Sequence, residues 1–129
     1  MRFARWLFAI AAIWGIAVVA PLYFLETMIG ADFPPPVARP ELYYGFVGVV
    51  LSWQLVYALI ATDPIRYRPL MLIGALGKLS FFGACLILYL HGRADAMLVA
   101  TTAPDLLLAL LFVAAWFVTA GETGEADIR

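Results

Sequence analysis

Four apolar runs, each about as long as a lipid hydrocarbon core is thick, constrain this chain more than any other feature of its sequence. A bilayer core of ~30 Å is crossed by about 20 helical residues at ~1.5 Å rise each. The runs extend from about Trp6 to Leu25, from Leu42 to Ala61, from Leu70 to Leu90, and from about residue 98 to Ala120. The start of the last is ragged, between Ala96 and Ala103. Each run stops at charge or turn chemistry. Glu26 and the cluster Pro34, Pro35, Pro36 and Pro40 follow the first, and Thr62-Asp63-Pro64 the second. His91-Gly92-Arg93 follows the third and Gly121-Glu122 the fourth. Proline cannot donate to a helix ladder and restricts the residue before it, so these breaks have a physical basis.

The whole chain of 129 residues is 65% hydrophobic and only 13% charged, far from the balance of a water-soluble domain. The expected fold is therefore all-α: an integral membrane four-helix bundle over residues 1–120, in one domain. An acidic cytoplasmic tail, residues 121–129, carries Glu122, Glu125 and Asp127 and is expected to be disordered. The segment from Glu26 to Glu41 is expected to lie as a semi-rigid proline-rich cover.

Arg2 and Arg5 before an apolar run also suit a secretory signal. The run continues past Ala20 to Leu25, however, and a cut after Val18-Val19-Ala20 would leave Pro21 next to it. An uncleaved first helix is the expectation, kinked near its end by Pro21. Arginines then set the orientation. Arg2, Arg5, Arg66, Arg68 and Arg129 lie on one side, and Arg39 and Arg93 on the other. The positive-inside rule places both termini and the 62–69 loop in the cytoplasm. Aromatic residues mark the boundaries: Trp6, Phe8, Tyr23, Phe24, Tyr43, Tyr44, Tyr67, Tyr89, Trp116 and Phe117.

Several classes of function are excluded. A net charge of −1 gives no basic field for nucleic acid. Cys85, the single cysteine, permits no internal disulfide, and the single histidine, His91, permits no bis-histidine haem within one bundle. There is no Gly-rich phosphate loop, serine elbow or zinc-helix motif. Glu26, Asp32, Glu41, His91, Asp95 and Asp105 gather on the outer side, without the helical spacing of metal ligands. Neither cofactor nor metal is expected.

Lys78 is the most informative polar residue, about 13 Å from the start of the third run. A lysine at that depth costs ~2.5–3.5 kcal/mol on insertion scales. It either snorkels toward the cytoplasm or sits as a buried amine that binds an anionic group or titrates. Its expected partners are Gln54 and Tyr57 on the second helix, with Ser52 one turn beyond, and the bland role for these is helix–helix bonding. A pair with Asp105 is not expected, because the two Cα–Cβ bonds tilt apart. Thr102-Ala103-Pro104-Asp105 reads instead as a helix start. Gly45, Gly48, Gly74 and Gly77 are candidates for close helix packing. Arg66 and Arg68 are candidates for anionic lipid headgroups.

The segments Tyr44-Gly45-Phe46-Val47-Gly48, Trp53-Gln54, Asp63-Pro64 through Pro69, and Gly77-Lys78-Leu79-Ser80-Phe81 resemble small uncharacterised four-span bacterial membrane proteins, loosely grouped with the DoxX-like proteins. The resemblance covers the second and third helices. It implies a four-helix inner-membrane protein and supplies no activity.

The leading expectation is a non-enzymatic bundle that binds membrane lipids, a membrane-protein partner or a second copy through its glycine-bearing faces. The alternative is a small transporter or small-molecule-binding bundle with an internal polar site at Lys78, Gln54, Tyr57 and Ser52. A further alternative is a lipid- or quinone-directed enzyme using His91 and nearby acids.

Overall fold

The structure, a computed structural model, describes residues 1–32 and 38–126, with side chains through Glu122. Pro34, Pro35, Pro36, Asp127 and Arg129, and the side chain of Glu125, lie outside the described residues.

All secondary structure among the described residues is helical. The first helix, α1 (Arg2–Val19), passes at Pro21 into a 3-10 turn, Ala20–Phe24. Proline has no N–H for the α ladder, so the tighter turn takes over where the sequence predicts a kink. A short helix, α2 (Glu26–Asp32), follows, so the segment expected to be a cover is partly helical, with Glu26 in its first turn. The long helix α3 (Pro40–Thr62) opens on a proline, which costs nothing at a position whose N–H has no helical partner. A compact turn, in which Asp63 Oδ1 accepts the Arg66 N–H at 3.1 Å, leads to α4 (Arg68–Leu90).

The end of α4 is a Schellman motif. The Gly92 N–H donates to the Tyr89 carbonyl at 2.9 Å and the Arg93 N–H to the Leu88 carbonyl at 2.8 Å. Gly92 has φ 68°, a left-handed conformation that glycine adopts without a Cβ clash.

The last helix, α5 (Ala96–Ala126), corrects two expectations. It does not start at Thr102. Asp95 caps it, its Oδ1 accepting the Leu98 N–H at 2.8 Å, and Pro104 falls inside the helix. Thr101 and Thr102 donate their hydroxyls back to the Leu98 and Val99 carbonyls, so side chains supplement the ladder just before the proline. Nor does the helix stop at Gly121. It continues through Ala126, and Glu122 pairs with the Met1 amine, which ties the expected tail to the N-terminus.

Four helices are long and apolar enough to cross a membrane: Arg2–Phe24, Pro40–Thr62, Arg68–Leu90 and Ala96–Glu122. They run antiparallel in the order α1, α3, α4, α5 around a square. The α1–α3 and α4–α5 pairs pack along much of their lengths, whereas α3–α4 and α1–α5 touch more sparsely.

The buried core is concentrated toward the end that carries the N-terminus. Ala4, Phe8, Ala11 and Ala12 meet Tyr57 and Ile60, Met71 and Ala75, and Ala109, Phe112 and Ala115. The aromatic knot Phe8–Phe112–Tyr57 joins the two helix pairs, with ring centroids 4.3 Å apart for Phe8–Phe112 and 5.0 Å for Tyr57–Phe112. Alanines around it let the helices approach closely.

Candidate functional site

The interior polar site is built from three helices. Lys78 projects from α4 between α3 and α5, and its Nζ donates to Asp105 Oδ1 at 2.6 Å. The two side chains are 14% and 26% exposed, so the pair is largely enclosed. On the α3 side the Lys78 Nζ lies 5.7 Å from the Tyr57 ring centroid, within cation–π range. The ammonium thus has an anion on one side and an aromatic face on the other.

This overturns the expectation that Lys78 and Asp105 diverge. The Cα–Cβ tilt is a small displacement, and the flexible four-carbon stem of lysine spans it. Enclosure raises the cost of leaving either charge alone, so pairing outweighs the tilt. The lysine turns toward α5 rather than back toward the start of α4, so it does not take the snorkelling direction in this arrangement. A signal was present in the sequence. Lys78 is the only lysine, Asp105 is the only acid inside the four runs, and lone intramembrane charges tend to find each other.

Of the other expected partners, Tyr57 joins the site and Gln54 does not. Gln54 is buried, its Nε2 donating to the Val50 carbonyl at 2.8 Å, while its Oε1 turns to α1. Among the described residues that oxygen has no N–H or O–H donor, and it lies over Gly15, where an added Cβ would come within 1.8 Å of it. Only a glycine admits it. Gly15 was not singled out from the sequence, although it is the one glycine in α1. Ser52 donates to the Gly48 carbonyl at 2.9 Å on the exposed side of α3, away from Lys78. With Val49, Trp53 and Val56 it lines a shallow open cavity of about 150 Å³.

The four candidate packing glycines divide into two kinds. A Cβ on Gly74 would lie 2.9 Å from Tyr57 Cε1, and one on Gly48 would lie 3.1 Å from the Tyr23 hydroxyl. These two serve contacts within the chain. Among the described residues Gly45 and Gly77 have nothing within 4 Å of an added Cβ, so they pack against none of the described helices and lie on the outer surface.

The two arginines differ as well. Arg68 Nε donates to the Trp116 carbonyl at 3.0 Å, and its guanidinium stands 4.1 Å from the Trp116 ring centroid. It is a clasp between α4 and α5 and is not free for lipid in this arrangement. Arg66 is exposed, over the Tyr67 ring at 5.7 Å, and keeps a guanidinium open to an anion. His91 is exposed after α4, its Nδ1 bonded to the Ile87 carbonyl at 2.8 Å. A carbonyl only accepts, so Nδ1 carries the proton there.

No protein-family model, curated protein or solved structure matches the chain.

Proposed function

We propose that this chain is an integral protein of a bacterial inner membrane that crosses it four times, both termini in the cytoplasm, and acts without catalysis. Its bundle holds lipid, a membrane-protein partner or a second copy on its outward glycine faces. The carrying observation is the open space at Gly45 and Gly77, set among exposed large apolar side chains. Leu42 is 63% exposed, Leu55 67% and Leu76 67%, exposures suited to a hydrocarbon solvent. The arginine imbalance supports the orientation, and the sequence motifs of α3 and α4 support the resemblance to small four-span bacterial proteins.

The test is native mass spectrometry of the protein extracted gently from its own membrane, beside Gly45→Leu and Gly77→Leu variants. An added side chain at either position meets no neighbour at Cβ, so the fold is expected to survive while retained lipid, partner or oligomer falls. Unchanged recovery in both variants would remove the reading.

The Lys78–Asp105–Tyr57 arrangement favours a second reading, a small-molecule-binding or transporting bundle. The ion pair is neutral as a unit, and its lysine keeps two N–H donors beyond the one given to Asp105. A small molecule that survives gentle extraction and is lost in Lys78→Met supports this reading, and a bare protein carrying only bulk lipid counts against it.

A further inference from the structure

At the end of the bundle away from the termini, two exposed tyrosines, Tyr23 and Tyr44, meet the half-buried Tyr43 and Glu26 in a cluster apart from the Lys78–Asp105 site. Tyr23, from the 3-10 turn, stacks along Tyr44 of α3 with ring centroids 6.1 Å apart and planes 14° from parallel. Tyr43 stands almost perpendicular to Tyr44, at 5.2 Å and 88°. Tyr43 is anchored, its hydroxyl donating to the Leu22 carbonyl. The Tyr44 hydroxyl donates to Glu26 Oε2 at 2.6 Å, which fixes the carboxylate at the first turn of α2 beside the aromatic faces. Tyr23 and Tyr44 are 39% and 37% exposed, so both rings are half-open to the surroundings.

We propose that this cluster binds the primary ammonium head of a phosphatidylethanolamine-type lipid. The inference rests on the lipid-holding reading of the bundle and names the lipid class. Aromatic residues at a membrane boundary commonly serve as a belt and need no ligand for that. A belt, however, does not require a carboxylate pinned against the rings. Tyrosine faces attract a cation within about 6 Å of the centroid, and the carboxylate oxygen not held by Tyr44 is an acceptor for it. The charge of the segment that carries Glu26 points the same way. From Glu26 to Glu41 the chain has three acids, Glu26, Asp32 and Glu41, and one base, Arg39, which is paired with Glu41.

The chemistry discriminates between heads. A primary ammonium carries N–H donors for Glu26, a trimethylammonium carries none, and a glycerol head carries no cation at all. The position suits a lipid, because the cluster stands where two of the long apolar helices reach their ends.

The test is native mass spectrometry of the full chain in mild detergent, titrated in separate arms with palmitoyl-oleoyl phosphatidylethanolamine, phosphatidylcholine and phosphatidylglycerol. The wild-type chain is expected to retain the ethanolamine lipid at roughly fivefold lower concentration than either of the others. Glu26→Gln keeps an oxygen for Tyr44 and removes the charge, and is expected to abolish the preference. Tyr44→Phe keeps the ring, releases the carboxylate and is expected to weaken it. Equal uptake of the three lipids by the wild-type chain, or an undiminished preference in Glu26→Gln, overturns the proposal and leaves general lipid binding standing. Displacement of the lipid by an equal concentration of soluble phosphoethanolamine overturns the lipid assignment in favour of a free amine. Retention of no lipid at all removes this proposal and the lipid-holding reading together.

Discussion

Neutralising Lys78 and Asp105 separately and together tests whether the interior charges stabilise the bundle only as a pair. At the observed 2.6 Å and an effective dielectric constant of ~20, the attraction is about 6 kcal/mol, most of it offset by desolvation of two ions. Lys78 lies ten residues into α4, hence ~15 Å from its start, a depth from which, in a membrane-spanning α4, a four-carbon stem does not easily reach water. Removing either partner leaves the other charge enclosed. Lys78→Met and Asp105→Asn are therefore each expected to destabilise the protein by about 3 kcal/mol. The double variant carries no buried charge and is expected to fall within about 1 kcal/mol of the wild type. Reversible unfolding in mixed micelles, read by far-UV circular dichroism and completed as a double-mutant cycle, measures the coupling. Additive losses in the double variant, or a wild-type-like Lys78→Met, would refute this account of the pair.

Three further outcomes follow from the packing. Gly15→Ala is expected to cost about 1–3 kcal/mol by driving Gln54 from its seat, and to cost much less in a Gln54→Ala background, as the same unfolding assay reads. Gly92→Ala is expected to destabilise by about 1–2 kcal/mol through left-handed strain, whereas Gly83→Ala, which meets nothing within 4 Å, is expected to be neutral or mildly stabilising. Arg68→Lys keeps the charge and loses the planar stack on Trp116; about 1 kcal/mol of stability and a blue-shifted or dequenched tryptophan emission are the expected signs.

Periodicity and length made the four long helices readable, because an apolar run of about 20 residues has few other folds open to it. The errors came where a local rule met a longer-range one. Thr102-Ala103-Pro104-Asp105 carries a start signal, but Asp95 provides an earlier cap and the helix then runs through the proline. Cβ direction argued against Lys78–Asp105, and the cost of two solitary enclosed charges prevailed. Glycines could be found but not sorted from one sequence. Gly74 faces Tyr57 and Gly77 faces open space, although only three residues separate them and the two differ by about 60° around the helix. Gly15 became informative only once Gln54 was seen to need it.

The concentration of the core at one end has a consequence for motion. Most of the buried apolar side chains, with the Phe8–Tyr57–Phe112 knot among them, lie toward the chain termini, and the α3–α4 and α1–α5 seams are both sparse. Rigidity therefore declines along the molecule. The terminal end acts as the fixed base of a clamp, and the jaws are the α1–α3 and α4–α5 pairs. Spontaneous opening will begin at the far end and part the α1–α3 pair from the α4–α5 pair, so amides in the last turns of α4 are expected to exchange with deuterium before those around Met71.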